Sequence, residues 1–154
     1  MPHFTTTKRV NLSADQAFAI ASDVGSYKEF LPLLNRSVVR GEQRSNGVET
    51  SFDADLQVAL ERLGFRETFT SHVVTNSEEY TVIATSSDGP LKSLRAVWSI
   101  VEAGEGQADV TIAIDYTLKN MMMQMMASSM MGFATEKMLL AFEERGQVLY
   151  GNSL

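Results

Sequence analysis

Few side chains in this sequence have the chemistry that catalysis or metal binding requires. The 154 residues include no cysteine and only two histidines. Without cysteine there can be no disulfide framework, no thiolate zinc or iron–sulfur site and no cysteine nucleophile. Two histidines are too few for a histidine-rich metal centre. We therefore expect no metal, no resident cofactor and no catalytic residue of these kinds.

The two histidines and the paired aspartates also lack a catalytic pattern. His72 shares strand parity with Arg66, so we expect it on the surface, and His3 lies near a flexible terminus. Neither has a Ser or Asp arrangement that suggests nucleophilic catalysis. Asp53 and Asp55 alternate along an outer strand face, and we interpret them as charges that serve solubility.

Glu67 is the one acidic residue on a strand face that we expect to point inward, between Phe65 and Phe69. A protonated carboxyl group there could hydrogen-bond a ligand carbonyl. It could instead form a structural ion pair with Arg145, which lies on the inner stripe of the last helix. Both interpretations stay open, because a buried pair can also mark the polar end of a cavity.

Methionine is concentrated at the start of that last helix, where residues 121–131 read MMMQMMASSMM. Met is flexible and polarizable, so it suits a surface that must fit a flexible apolar ligand or several partners. The alternatives are ordinary core filling and a homodimer interface. So many Met residues exceed what one helix face can bury, which favours the ligand or partner interpretation.

Period-two alternation predicts the strands that position these residues. After a weak strand at residues 4–10, the period switches to two from Arg36 onward. The pattern is clearest at 48–60 and continues through 65–74, 80–85, 94–101 and 108–118. Turn residues occupy the short links between them, which predicts hairpins and an antiparallel meander. In this register Trp98 shares the inward face with Leu94 and Ile100.

Two helices complete the set of elements. Ser13 and Gln16 form a capping-box pattern ahead of a short helix that we expect to end at Gly25. Residues 121–150 contain no Pro and are rich in strong helix formers, which predicts one long helix. Its predicted inner stripe contains Met123, Ala127, Met130, Ala134, Met138, Ala141, Arg145 and Val148.

These elements predict an α+β fold in a single domain of residues 1–154. One helix cannot cover a flat sheet of this width. We therefore expect a curved antiparallel sheet of six to seven strands that wraps around the long C-terminal helix, with short helices after strand 1. An apolar cavity between helix and sheet is expected, although large side chains could also fill that space.

Net charge and hydropathy restrict the classes of binding partner and the cellular location that we expect. The net charge is −6, from 13 basic and 19 acidic residues. An acidic chain repels phosphate backbones, so we expect no binding to nucleic acid. The most apolar stretch, residues 121–131, is too short and too interrupted to span a bilayer, and the N-terminus lacks the apolar run of a secretory signal. We expect a cytoplasmic protein.

Three segments resemble one family. Residues 23–32, DVGSYKEFLP, are similar to the D-V-x-x-Y-x-x-F-L-P signature of the coenzyme Q-binding START-like family, which comprises helix-grip proteins of the polyketide cyclase/dehydrase type. Residues 88–94, DGPLKSL, with Trp98, resemble its D-G-P-F-K-x-L-x-x-x-W segment. Residues 141–145, AFEER, and 149–151, LYG, resemble its closing A-F-E-x-R and L-Y-G. Leu91 replaces the usual aromatic residue, and Gly146 replaces the Ala that commonly follows the Arg.

The resemblance implies a helix-grip fold around a lipid-sized tunnel. It also implies non-enzymatic binding of a polyprenyl quinone such as ubiquinone, in support of respiratory electron transport or quinone biosynthesis. Two alternatives stay open: a polyketide cyclase or aromatase-like enzyme, and a module that binds ribosomal subunits, as in ribosome-association toxins. Further expected partners are the inner membrane, in a transient peripheral contact, and a second copy of the chain through the Met-rich helix start.

Residue parity and the resemblance together predict the lining of the ligand cavity. The expected residues are Tyr27, Phe30, Leu31, Pro32, Phe52, Glu67, Phe69, Leu91, Trp98, Tyr116, Met123, Met126, Met130, Met138, Phe142 and Arg145.

Overall fold

The computed structural model describes residues 3–60 and 65–151. The elements in chain order are β1 His3–Val10, α1 Ala14–Ser22, a 3₁₀ helix Val24–Glu29, β2 Leu34–Ser45, β3 Glu49–Leu60, β4 Phe65–Asn76, β5 Thr81–Ser86, β6 Leu91–Gly104, β7 Gln107–Leu118 and α2 Met121–Tyr150. This order of strands and helices confirms the α+β class. No helix within the described ranges is long and apolar enough to cross a membrane.

All seven strands form one antiparallel sheet in the order β1-β7-β6-β5-β4-β3-β2. Strands β2 to β7 are a meander, and β1 pairs with β7 from His3 opposite Asp115 to Val10 opposite Ala108. Register shifts interrupt β2 and β6. Such bulges bend and twist a strand, which helps a sheet to curve around a helix. The predicted curved sheet of six to seven strands is confirmed.

The inward faces of the strands follow the predicted alternation. In β7 every second residue from Ala108 to Tyr116 is buried. Trp98 in β6 is 4% exposed, and Ile100 beside it is also buried. The predicted register is therefore correct, since a shift of one residue would place Trp98 in solvent.

Helix α1 begins with the predicted capping box. The Gln16 backbone N–H donates to Ser13 Oγ, and Gln16 Oε1 accepts from the Ser13 backbone N–H. The helix ends at Ser22, three residues before the predicted end at Gly25, and the chain continues into the 3₁₀ helix. Gly25 lies inside that 3₁₀ helix, where its carbonyl oxygen accepts from Ser37 Oγ.

Helix α2 begins at the Asn120 cap, whose side chain accepts from two backbone N–H groups of the first turn. Its buried residues are Ala134, Thr135, Leu139, Phe142 and Gly146. The predicted stripe is thus wrong in its second half, where Val148 is 76% exposed. The buried residues Leu139, Phe142 and Gly146 each follow a predicted stripe position by one residue, so the helix is rotated by about one residue from the predicted orientation.

Candidate functional site

An apolar cavity lies between α2 and the inner face of the sheet. It has two adjoining lobes of about 150 and 190 Å³, which share the side chains of Leu33, Val58, Phe69, Leu94, Ile114, Met131 and Ala134. We call the smaller one the mouth lobe, because the start of α2 lines it. We call the larger one the inner lobe, because buried residues of β4 to β7 line it.

Small side chains leave the inner lobe open. Ala84 of β5 lies opposite Ala96 of β6 in the register, and both line this lobe. Ser71 of β4 and Ala134 of α2 line it as well. Helix α2 runs closest to β1, β7 and α1, so much of the inner face of β4, β5 and β6 lies farther from its backbone. Small residues on that face leave space that larger ones would fill.

The described residues that line the mouth lobe combine methionines with a single carboxyl group. Met123, Met126, Met130 and Met131 line it from α2, and Glu67 lines it from β4. Glu67 is half-buried, lies opposite Val58 in the register and makes no hydrogen bond or ion pair with a described residue. Its carboxyl group is therefore free to interact with a ligand. The side chain of Phe65, expected beside it, lies outside the described residues.

Aromatic rings form one wall of the inner lobe. The Trp98 ring centroid lies 6.3 Å from that of Tyr27 and 5.2 Å from that of Phe142. The Tyr27 hydroxyl donates to the Ala21 carbonyl oxygen. Burial raises the pKa of Tyr27 far above its ordinary value, with a smaller contribution from the charge of Asp23. This hydroxyl therefore stays protonated and occupied, and the wall presents an apolar surface.

Two other side chains with hydroxyl groups line the lobes, Tyr116 and Ser71, and only Tyr116 has a hydrogen-bond partner among the described residues. Tyr116 Oη lies 2.9 Å from Ser128 Oγ at the mouth lobe, and burial raises the pKa of Tyr116. Ser71 is completely buried in the inner lobe, and its Oγ has no hydrogen-bond partner in the described part of the chain. Sequence reasoning missed Ser71. The signal for it was its position between Phe69 and Val73 on the inward face of β4.

Most of the residues predicted to line the cavity do so. The two lobes bring together Tyr27, Leu31, Pro32, Glu67, Phe69, Leu91, Trp98, Tyr116, Met123, Met126, Met130 and Met138. The prediction missed several aliphatic positions, among them Leu33, Leu94 and Ile114. These are ordinary strand or loop residues, whose types give no signal for a cavity.

Four of the predicted lining residues lie elsewhere. Phe142 is fully buried behind Trp98, and Phe52 belongs to the core, opposite Val73 in the register. Arg145 points away from the cavity, where its Nη2 donates to Glu29 Oε1 at 2.8 Å. Its guanidinium lies 5.2 Å from the ring centroid of Phe30, so this ring packs on the outside.

The interpretation of Glu67 as the ion-pair partner of Arg145 is consequently wrong. The buried face of α2 passes through Phe142 and Gly146, which turns the neighbouring Arg145 toward the 3₁₀ helix that contains Glu29. The ion pair between Arg145 and Glu29 joins the end of α2 to that helix, and it lies at the protein surface because the Glu29 side chain is 51% exposed.

The residues expected to lack catalytic roles lie on the surface. His72 Nδ1 is 2.9 Å from Asp53 Oδ1, and both side chains are more than half exposed. Asp55 accepts a hydrogen bond from Thr70 Oγ1. His3 belongs to strand β1, with Nδ1 2.6 Å from Asp115 Oδ1, rather than to a loose terminus. In the described part of the chain no three His, Cys, Asp or Glu side chains are grouped to hold a metal ion.

A curved antiparallel sheet that closes over one long C-terminal helix, with an apolar cavity between them, defines the helix-grip class of START-like proteins. Residues 10–143 match the family described as polyketide cyclase / dehydrase and lipid transport. The chain therefore belongs to this family.

Two curated relatives show how widely the family's members differ in function. The ribosome association toxin RatA of Vibrio cholerae is 26% identical over 152 residues, which cover 98% of this chain and 99% of that protein. The mitochondrial coenzyme Q-binding protein coq10 of Schizosaccharomyces pombe is 29% identical over 132 residues, or 85% of this chain and 78% of that protein.

Solved structures agree on the fold. A START superfamily protein from Mycobacterium smegmatis has a TM-score of 0.79 at 20% identity, covering 96% of this chain and 98% of that one. The Zhui aromatase/cyclase from Streptomyces sp. R1128 has a TM-score of 0.84 at 14% identity, covering 99% of this chain and 98% of that one. At these identities the likeness establishes the architecture alone.

Proposed function

We propose that this protein binds a polyprenyl quinone, such as ubiquinone, in the two-lobed cavity and does not turn it over. The observation that carries the proposal is the apolar lining of both lobes, interrupted by few polar groups. Mostly apolar cavities with a few placed polar groups are typical of small-molecule sites. The coenzyme Q-binding relative supports a quinone as the ligand class.

The volume of the inner lobe supports a ring-shaped head group. A dry apolar cavity of about 150 Å³ in another protein holds a benzene molecule. The inner lobe, at about 190 Å³, therefore has room for one substituted six-membered ring. The mouth lobe has room for only the first part of a long isoprenoid tail. The rest of the tail would leave past Met123 and Met126.

Exposed methionines beside the mouth lobe support a peripheral membrane contact. Met121, Met122 and Met125 are 72–82% exposed in the first two turns of α2. Apolar side chains there could enter the membrane interface, where a tail is delivered. Flotation with liposomes tests this contact, and triple replacement of these residues by Ser should abolish it. A concentration-dependent dimer without liposomes would assign the same side chains to a homodimer.

Matched charge substitutions test ligand binding. Met126 lines the mouth lobe, whereas the adjacent Met125 is 73% exposed. Met126→Asp should abolish both the thermal shift caused by a short-chain ubiquinone analogue and the co-purification of quinone seen by native mass spectrometry. Met125→Asp should leave both unchanged, because its carboxylate stays in water. A wild-type protein that shows neither effect would overturn the proposal.

An aromatase or cyclase activity is the second candidate, and Glu67 is the observation that favours it. Cyclisation needs a positioned acid or base, and this carboxyl group lines the mouth lobe without a partner among the described residues. No histidine or second carboxyl group lines either lobe among the described residues, so a quinone carrier is favoured. Turnover of a polyketide that disappears in Glu67→Gln would favour the enzyme.

Ribosome association is the third candidate. It is supported by near full-length relatives named ribosome association toxins. The net charge of −6 disfavours contact with ribosomal RNA but permits contact with a basic ribosomal protein. Co-sedimentation with separated ribosomal subunits tests it, and the carrier hypothesis expects no protein in the pelleted fraction.

A further inference from the structure

The hydroxyl group of Ser71 has no hydrogen-bond partner among the residues that the structure describes. Its residue is 0% exposed, its Oγ makes no hydrogen bond, and it lines the inner lobe. We propose that Ser71 donates a hydrogen bond to a ring carbonyl oxygen of the ligand and so anchors the head group in the inner lobe. This inference rests on the proposed quinone binding.

Among the described residues, Ser71 and Thr117 are the two whose buried hydroxyl groups make no hydrogen bond, and of these only Ser71 lines a lobe. Other buried hydroxyl groups are satisfied. Ser37 Oγ donates to the Gly25 carbonyl and accepts from the Lys28 backbone N–H. Thr135 Oγ1 donates to the Gly132 carbonyl. A buried hydroxyl without a partner costs free energy, because folding removes its hydrogen bonds to water. A hydroxyl kept in that state at a cavity wall is available to a ligand.

The residues around Ser71 favour a ligand that accepts a hydrogen bond in the inner lobe. The other hydroxyl group that lines the inner lobe belongs to Tyr27 and is occupied by the Ala21 carbonyl. A carbonyl oxygen placed in this lobe would therefore find one free hydroxyl donor, that of Ser71. The aromatic wall of Trp98 and Tyr27 suits the flat face of a ring.

Glu67 lies too far away to share the same carbonyl. It occupies the same face of β4 four residues earlier, which is about 13 Å along a strand. It lines the mouth lobe and not the inner one. The ring therefore enters first and the tail trails through the mouth lobe.

Two ligands and two variants test the anchor. The probes are a short-chain ubiquinone analogue and an alkylbenzene with the same chain, which has no carbonyl. Ser71→Ala removes the proposed donor. Thr117→Val is the matched control, because Thr117 Oγ1 is also buried without a partner but lines neither lobe. Binding is measured by titration calorimetry and, for the quinone, by quenching of Trp98, the only Trp.

Ser71→Ala should weaken quinone binding by about two- to tenfold, the usual net contribution of one hydrogen bond. It should leave alkylbenzene binding unchanged, and Thr117→Val should change neither. Equal quinone affinity in wild type and Ser71→Ala would overturn the anchor while leaving the proposed function intact. Equal weakening of both ligands would also overturn it, since a reshaped cavity explains that result. No binding of quinone to the wild type would overturn both.

Discussion

Replacing Ala134 by Leu should stabilise the free protein and block the cavity. Ala134 lines both lobes from α2 and is 6% exposed. The larger side chain adds three carbon atoms, and burial contributes about 0.8 kcal/mol for each. The loss of side-chain conformational entropy offsets about 0.5–1 kcal/mol of this stabilisation. The expected gain is about 1.5 kcal/mol, or about 3–6 °C in Tm.

The same substitution at Ala17 is the matched control. Ala17 lies in α1, is 0% exposed and lines neither lobe. Leu there should overpack the core and destabilise the protein by about 1–3 kcal/mol. Thermal melts with and without a short-chain ubiquinone analogue measure both effects. Ala134→Leu should melt higher and lose at least tenfold in ligand affinity. If both variants were destabilised alike, the space beside Ala134 would be filled and the cavity argument refuted.

Three further predictions concern other parts of the molecule. A Cβ on Gly146 would lie 2.6 Å from Leu12 Cδ1, so Gly146→Ala should lower Tm although Ala has the better helix propensity. Adding Leu12→Val to this variant should recover part of the loss. A higher Tm for Gly146→Ala alone would contradict the predicted collision with Leu12. Met122 is 72% exposed, so Met122→Ala should change the free energy of unfolding in urea by less than about 0.5 kcal/mol. Met138 packs against the core, so Met138→Ala should lower that free energy by about 1–3 kcal/mol. Equal losses in the two variants would contradict the placement of Met122 at the surface and Met138 at the core. Burial raises the pKa of Tyr27, so above pH 10 the unfolded chain releases this proton while the folded protein keeps it. The wild type should therefore lose up to about 1.4 kcal/mol of stability per pH unit above pH 10 from this group. Tyr27→Phe should lack that loss, and parallel pH profiles of the free energy of unfolding for the two proteins would refute the prediction.

The strand faces were predictable because period-two alternation survives in the folded sheet. Trp98 and the inward residues of β7 lie where the pattern placed them, and the Ser13 capping box begins α1 as expected. These features depend on residues close together in sequence, so a local pattern determines them. The end of α1 was predicted less well. There the chain continues into a 3₁₀ helix that is held by Ser37, fifteen residues after the helix ends.

The partner of Arg145 could not be predicted from the sequence. Glu67 and Glu29 are both acidic residues far from it in sequence, and the choice depends on which way α2 turns. A rotation by one residue, from Arg145 to Gly146 on the buried face, decides the pairing. Gly146 can take that position because it has no side chain to collide with Leu12.

The cavity is formed by small residues that lie far apart in the sequence and meet only in the folded protein. Ser71, Ala84, Ala96 and Ala134 come from three strands and a helix, and each is an ordinary residue within its own element. Only the register brings Ala84 opposite Ala96 and sets Ser71 on the same inner face. The strand pattern fixes which residues point inward, but it does not fix how much space they leave. Because Ser71 is inward, small and polar at once, it is the one member of this set whose type departs from its apolar neighbours Phe69 and Val73. A polar residue that interrupts an inward apolar face is therefore the local feature that points most directly to the proposed anchor of the ligand.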